Sequence, residues 1–103
     1  REDHVASHLE LPAAVFNAYV ESKRLDYLET RRIRWAYSSL PWYGQEYNDT
    51  VALMGDNYYS YGIPLNRKAM EAACRYLYRQ GLAKRELSVD ELFVPSTLTL
   101  QDN

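Results

Sequence analysis

Residues 11–40 read LPAAVFNAYV ESKRLDYLET RRIRWAYSSL, and this stretch decides the fold class. Leu11, Val15, Ala18, Leu25, Leu28, Ile33, Ala36 and Leu40 recur at three-and-four spacing, close to the 3.6-residue period of an α-helix. Phe16, Tyr19, Val20 and Tyr27 form a second stripe that widens the apolar face over the first turns. Glu21 with Arg24, and Glu29 with Arg32, stand three apart and can pair along the solvent side. Pro12 suits the first turn of this helix. Pro41 has no amide proton for the helical ladder, which ends the helix near Ser39 or Leu40.

Upstream, Arg1 to Leu11 is short and polar. Downstream, Gly44 opens a second helix of about three turns, with Tyr47, Val51 and Met54 on one narrow stripe and Gly55 as its C-terminal cap. Residues 56–64 form a loop that mixes turn formers with Tyr58, Tyr59 and Tyr61. Asn66 is a good N-cap for a third helix, whose buried stripe is Met70, Ala73, Cys74 and Leu77, with Glu71 placed to pair with Arg75. Gly81 fits the position just past its end, with Leu82 folding back onto Leu77. Ser88-Val89-Asp90-Glu91 is a capping box that opens a one-turn helix carrying Leu92 and Phe93, stopped by Pro95. Residues 96–103 form a tail of weak alternation, extended or disordered. The expectation is therefore a mainly α chain: three main helices and a short one, in a single helical segment over residues 1–103. The first helix carries a broader apolar arc than two short partners cover. This points to a core completed by residues outside this stretch. The opening at Arg1 without a methionine fits a processed product, an engineered piece or a fragment alike, and says nothing of what precedes it.

Composition narrows the function classes. The 103 residues are 47% hydrophobic and 25% charged, an ordinary globular balance that excludes a disordered chain. No apolar run is long enough to cross a bilayer. A net charge of -2 argues against general affinity for nucleic acid. Cys74 has no second cysteine with which to form an internal disulfide. Ten tyrosines against two phenylalanines suit half-buried surfaces, since each ring keeps a hydroxyl that needs a partner or water.

Few residues carry a chemical signal. His4 and His8 have the i, i+4 spacing of zinc ligands, but without a third ligand nearby they read as a polar terminus, and no metal set is assigned. Cys74 lies in an apolar stripe and reads as a small core residue rather than a reactive thiolate. Arg24, Arg31, Arg32 and Arg34, with Tyr27, Trp35 and Tyr37 interleaved, invite a nucleic-acid reading, but Glu21, Asp26 and Glu29 are mixed among them, and Arg67, Lys68 and Arg75 follow later. Both groups read as salt-bridged helix faces. The loop from Tyr58 to Arg67 has two readings. Its rings seal a gap between helices, or they contact an aromatic ligand whose carboxylate Arg67 holds in a two-pronged pair.

Leu40-Pro41-Trp42, Ala52-Leu53-Met54-Gly55-Asp56, Tyr61-Gly62-Ile63, Asn66-Arg67 and Glu91-Leu92-Phe93-Val94-Pro95 occur in this order. In that order they resemble the C-terminal part of the 4,5-dihydroxyphthalate decarboxylase family, itself similar to periplasmic solute-binding proteins of the nitrate and thiamine-precursor type. The resemblance departs at Tyr58-Tyr59-Ser60-Tyr61-Gly62, where the family has an aromatic-Trp-Pro-Tyr-Gly stretch. It departs again at Gly62-Ile63-Pro64-Leu65-Asn66-Arg67, which lacks the family's glutamate. The resemblance implies a C-terminal portion of a two-lobed α/β fold of the periplasmic-binding-protein type II kind. It also implies an activity of the whole protein, loss of carbon dioxide from a hydroxylated aromatic carboxylate, with this segment inactive alone. Such chemistry needs a cation or metal to hold carboxylates and a proton donor for the developing carbanion.

On that reading Arg67 anchors a carboxylate, Tyr59 and Tyr61 contact the ring, and Asn66 belongs to the same site, while no cofactor and no catalytic acid or base is assigned. The expected partners are a small aromatic carboxylate and the remaining lobes, with a homo-oligomer as a further possibility; nucleic acid and a membrane span are not expected. The compartment is cytoplasmic for an enzyme and periplasmic for the alternative, a non-catalytic solute-binding protein of a transporter. A free-standing helical interaction module is the other alternative.

Overall fold

The computed structural model describes residues 2–33 and 39–102. Among the described residues five α-helices follow one another: α1 Glu2–Ser7, α2 Leu11–Ile33, α3 Tyr43–Met54, α4 Ile63–Arg79 and α5 Val89–Leu92, with a 3-10 turn at Pro95–Thr97. The chain is mainly α, and among the described residues extended pairing is confined to the single antiparallel bridge between Gly62 and Gln101. No helix among them is long and apolar enough to cross a membrane. Two compact bodies form, one from Ser60–Asp102 together with the chain up to Phe16, the other from Asn17–Tyr59.

In the 60–102 body the core gathers Ile63 at the start of α4, Cys74 two to three turns later, and Val89 of α5, with Met70, Leu87 and Leu98 packed against them. Each fully buried aliphatic side chain contributes roughly 1.5–3 kcal/mol. Cys74, only 5% exposed, is the core residue its stripe suggested. Ala73 and Leu77 of the same stripe are exposed, however. The end of α4 is a Schellman motif, with the Leu82 amide donating to Leu77 O at 2.9 Å and that of Gly81 to Tyr78 O at 3.0 Å. The Leu82 side chain does not fold back with its backbone and stays exposed.

Three expectations need correction here. The helix α4 starts at Ile63, three residues before the expected cap, because Pro64 suits a first turn. Asn66 instead lies inside that turn and donates its amide back to Ser60 O and Gly62 O, both at 2.9 Å. Glu71 reaches back to Arg67 at 3.9 Å rather than forward to Arg75, whose guanidinium lies 5.6 Å from the centre of the Tyr76 ring. The capping box is present, with Ser88 N–H donating to Glu91 Oε1 at 2.6 Å, but Val89 is the side chain it buries while Leu92 and Phe93 stay exposed.

The tail is clamped rather than loose. Tyr61 N–H donates to Asp102 Oδ1 at 2.8 Å and Asp102 N–H returns to Tyr61 O at 3.2 Å, leaving Asp102 buried. At the N-terminus, the segment read as merely polar forms α1. His4 and His8 meet there only through the backbone, His8 N–H to His4 O, and His8 Nδ1 lies 3.4 Å from Glu10.

In α2, Glu21–Arg24 and Glu29–Arg32 pair as their spacing indicated, at 2.7 and 2.6 Å. The shielded side of α2 follows neither stripe as a whole. Phe16, Val20, Lys23, Tyr27, Thr30 and Ile33 are among its shielded positions, Thr30 being 2% exposed, whereas Tyr19 of the second stripe is 64% exposed. Leu11, Val15, Leu25 and Leu28 of the more regular stripe are about half exposed. Periodicity finds an apolar face but not the surface that covers it. Ser39 and Leu40 lie outside any helix, and Arg34, Trp35, Ala36 and Tyr37 lie outside the described residues. On α3, Tyr47 is buried as expected, Met54 is exposed, and Gly55 closes the helix with its N–H on Val51 O.

Candidate functional site

Within the 17–59 body, helical spacing brings tyrosines together. Tyr43 and Tyr47 stand one turn apart on α3, Tyr27 and Thr30 three apart on α2, and the turn after α3 supplies Tyr58 and Tyr59. The rings of Tyr27 and Tyr58 stack at 4.6 Å, while Tyr47 and Tyr59 meet Tyr58 edge-on at 6.3 and 5.1 Å. Offset stacking and edge contacts are the arrangements the ring quadrupole favours. Tyr58 therefore packs between α2 and α3, the structural half of the two readings of its loop. Burial, and then the neighbouring Tyr27, Tyr47, Tyr43 and Asp26, push its hydroxyl pKa well above the ordinary phenol value.

Two basic side chains brace the cluster from outside. Lys23 Nζ donates to Asn57 Oδ1 at 2.7 Å and Tyr59 O at 2.9 Å, and lies 5.6 Å from the centre of the Tyr27 ring. Arg31 donates to Tyr47 Oη at 3.3 Å and pairs with Asp56 at 2.8 Å. What remains open is a cavity of about 330 Å³ lined by these tyrosines with Thr30, Thr50 and Met54. Among the described residues the charged ones on its wall are Asp26 and Glu46, and no lysine or arginine lines it.

A cleft of about 410 Å³ in the 60–102 body has a different character. Arg67 and Arg75, two turns apart on α4, line it together with Glu71, Glu86 and Asp90. Arg67 Nη2 donates to Asp90 Oδ1 at 2.6 Å. That bond, and the attraction that accompanies it, hold the Asp90 carboxyl below its ordinary range. Asp90 thus stays ionised near neutrality and is no proton donor there. Glu91 is held low in the same way, first by Arg85 and then by the Ser88 amide.

The residues singled out from the sequence therefore have distinct settings. Tyr61, Asn66 and Arg67 belong to the 60–102 body and Tyr59 to the other. The Asn66 amide is engaged by its own loop, the Tyr61 backbone by Asp102, and Arg67 by Asp90. Tyr59, 70% exposed, lines the tyrosine cavity, whose acidic wall repels a carboxylate. Sequence reading passed over Tyr43 and Glu46, and took Asp26 and Arg75 only as members of charged helix faces. The i, i+4 pair Tyr43 and Tyr47 on a short helix was the available signal, together with the excess of tyrosine.

No protein-family model matches the chain. Among curated proteins, it is 26% identical over 98 residues to the 4,5-dihydroxyphthalate decarboxylase of Comamonas testosteroni. The relationship is distant. The alignment covers 95% of this chain and 30% of that enzyme, so the chain spans under a third of the length of the relative it matches. No solved structure matches.

Proposed function

We propose that this chain is the helical C-terminal portion of a two-lobed, decarboxylase-like protein acting on a hydroxylated aromatic carboxylate. The observation that carries this reading is the match to a decarboxylase along nearly the whole of the chain. The half-exposed Leu11, Val15, Leu25 and Leu28 support it, since apolar side chains of this number suit helices packed against further lobes. In the reaction the ring–carboxylate carbon bond breaks, carbon dioxide leaves, and a proton takes its place on the ring carbon.

Arg67 and Arg75 offer the guanidinium groups that would hold a substrate carboxylate, with Asp90 as the group it must displace from Arg67. The test is release of labelled carbon dioxide from carboxyl-labelled dihydroxyphthalates by the full-length protein. Release is expected. Arg67→Ala is expected to lower kcat/KM roughly 10- to 100-fold, the range for a charge-assisted hydrogen bond of ~1.5–3 kcal/mol. Saturable binding with no carbon dioxide from any of these compounds overturns the enzymatic reading in favour of a solute-binding protein.

A further inference from the structure

We propose that the tyrosine cavity of the 17–59 body, walled by Tyr43, Tyr47 and Tyr58 with Asp26 and Glu46, is a binding site for a small organic cation of the alkylammonium class. Its volume, about 330 Å³, falls within the range of small-molecule sites, which is roughly 300–1,000 Å³. Aromatic faces and phenolic oxygens attract an ammonium group, and a carboxylate beside them adds direct charge attraction. Both are present on this wall, and among the described residues no lysine or arginine lines it.

The cluster also holds a cation of its own, Lys23 Nζ over the Tyr27 ring, which shows that these rings accept positive charge. The upward push on the Tyr58 hydroxyl agrees, because part of it comes from Asp26 and the neighbouring phenols, groups that favour positive charge nearby. The same wall rejects an aromatic carboxylate. This site is therefore separate in chemistry from the Arg67 cleft and does not depend on the decarboxylase reading.

The experiment titrates the intact protein with choline, with its uncharged isostere 3,3-dimethylbutan-1-ol and with benzoate, following ring resonances of Tyr43, Tyr47 and Tyr58 by NMR. Saturable shifts with choline are expected, about fivefold weaker or more with the isostere, and absent with benzoate. Asp26→Asn with Glu46→Gln should weaken choline about fivefold, the scale of an exposed ion pair, and added salt should weaken it further. Both carboxylates are exposed, and far-UV circular dichroism and the melting temperature of the double variant report separately on its fold. Equal binding of choline and its isostere, benzoate shifts on the same rings, or no saturable choline shift each overturn the proposal. The readout involves no turnover, so its failure and that of the decarboxylation assay are told apart.

Discussion

Gly62 joins the candidate-site residues to the end of the chain, and replacing it with alanine tests how tightly. Its φ of 105° lies where side chains are strained, and an added Cβ would sit 2.6 Å from Gln101 Cα, 3.0 Å from Leu100 C and closer still to Leu100 O. All three are backbone atoms, so no rotamer change relieves the contact. Strain at such a φ costs roughly 1–3 kcal/mol. Forcing a methyl group into a filled space costs about the same again. The sum, roughly 2–6 kcal/mol, corresponds to a fall in Tm of about 10–30 °C for a domain of this size.

Two other glycines calibrate the result. Gly81→Ala, at φ 73° with nothing within 4 Å, carries the strain without the collision, about 1–2 kcal/mol. Gly44→Ala, in α3 with open space around it, gains up to about 1 kcal/mol from helix preference. Thermal melts by circular dichroism should rank the variants Gly44→Ala, wild type, Gly81→Ala, Gly62→Ala from most to least stable. A Gly62→Ala protein that melts with or above Gly81→Ala would refute the reasoning, since it would mean that the 100–102 segment does not press on Gly62.

The clamp itself is tested at Asp102. Asp102→Ala leaves the Tyr61 amide without its acceptor and should cost about 1–3 kcal/mol, whereas Asp102→Asn keeps an acceptor oxygen and should cost less, both read from denaturant midpoints. Tyr58 bears on alkaline stability. Its pKa is raised in the folded protein, so below the unfolded value of about 10 the native state loses nothing to this group. Above that pH the unfolded chain releases a proton that the folded one retains, and stability falls as pH rises. Tyr58→Phe should flatten that decline between about pH 10 and 12 in urea titrations, and an unchanged slope would show that Tyr58 ionises normally.

Helix periods and end signals were legible because they depend on neighbours three to five residues away. The capping box at Ser88–Glu91, the Gly81 turn, the Glu21–Arg24 and Glu29–Arg32 pairs and the burial of Cys74 all rest on such local rules. The candidate site was less legible. Arg67 was visible as a charge, but its partner Asp90 lies 23 residues away. Asn66 looked like a cap because the residue type favours that position. It sits instead within the first turn, which Pro64 had already begun.

By itself, then, the sequence determined that this protein is mainly α, where most of its helices start and stop, and which faces are apolar. Tertiary structure decided which of those faces is covered. It put Thr30 and Tyr27, rather than Leu25 and Leu28, on the shielded side of α2. It also folded residues 100–102 back onto Tyr61 and Gly62 and closed tyrosines from two helices and a turn around one cavity. The physical reason is range. Backbone hydrogen bonds within a helix are chosen by adjacent residues, whereas burial and ring stacking depend on segments dozens of residues apart that meet only once the chain has folded.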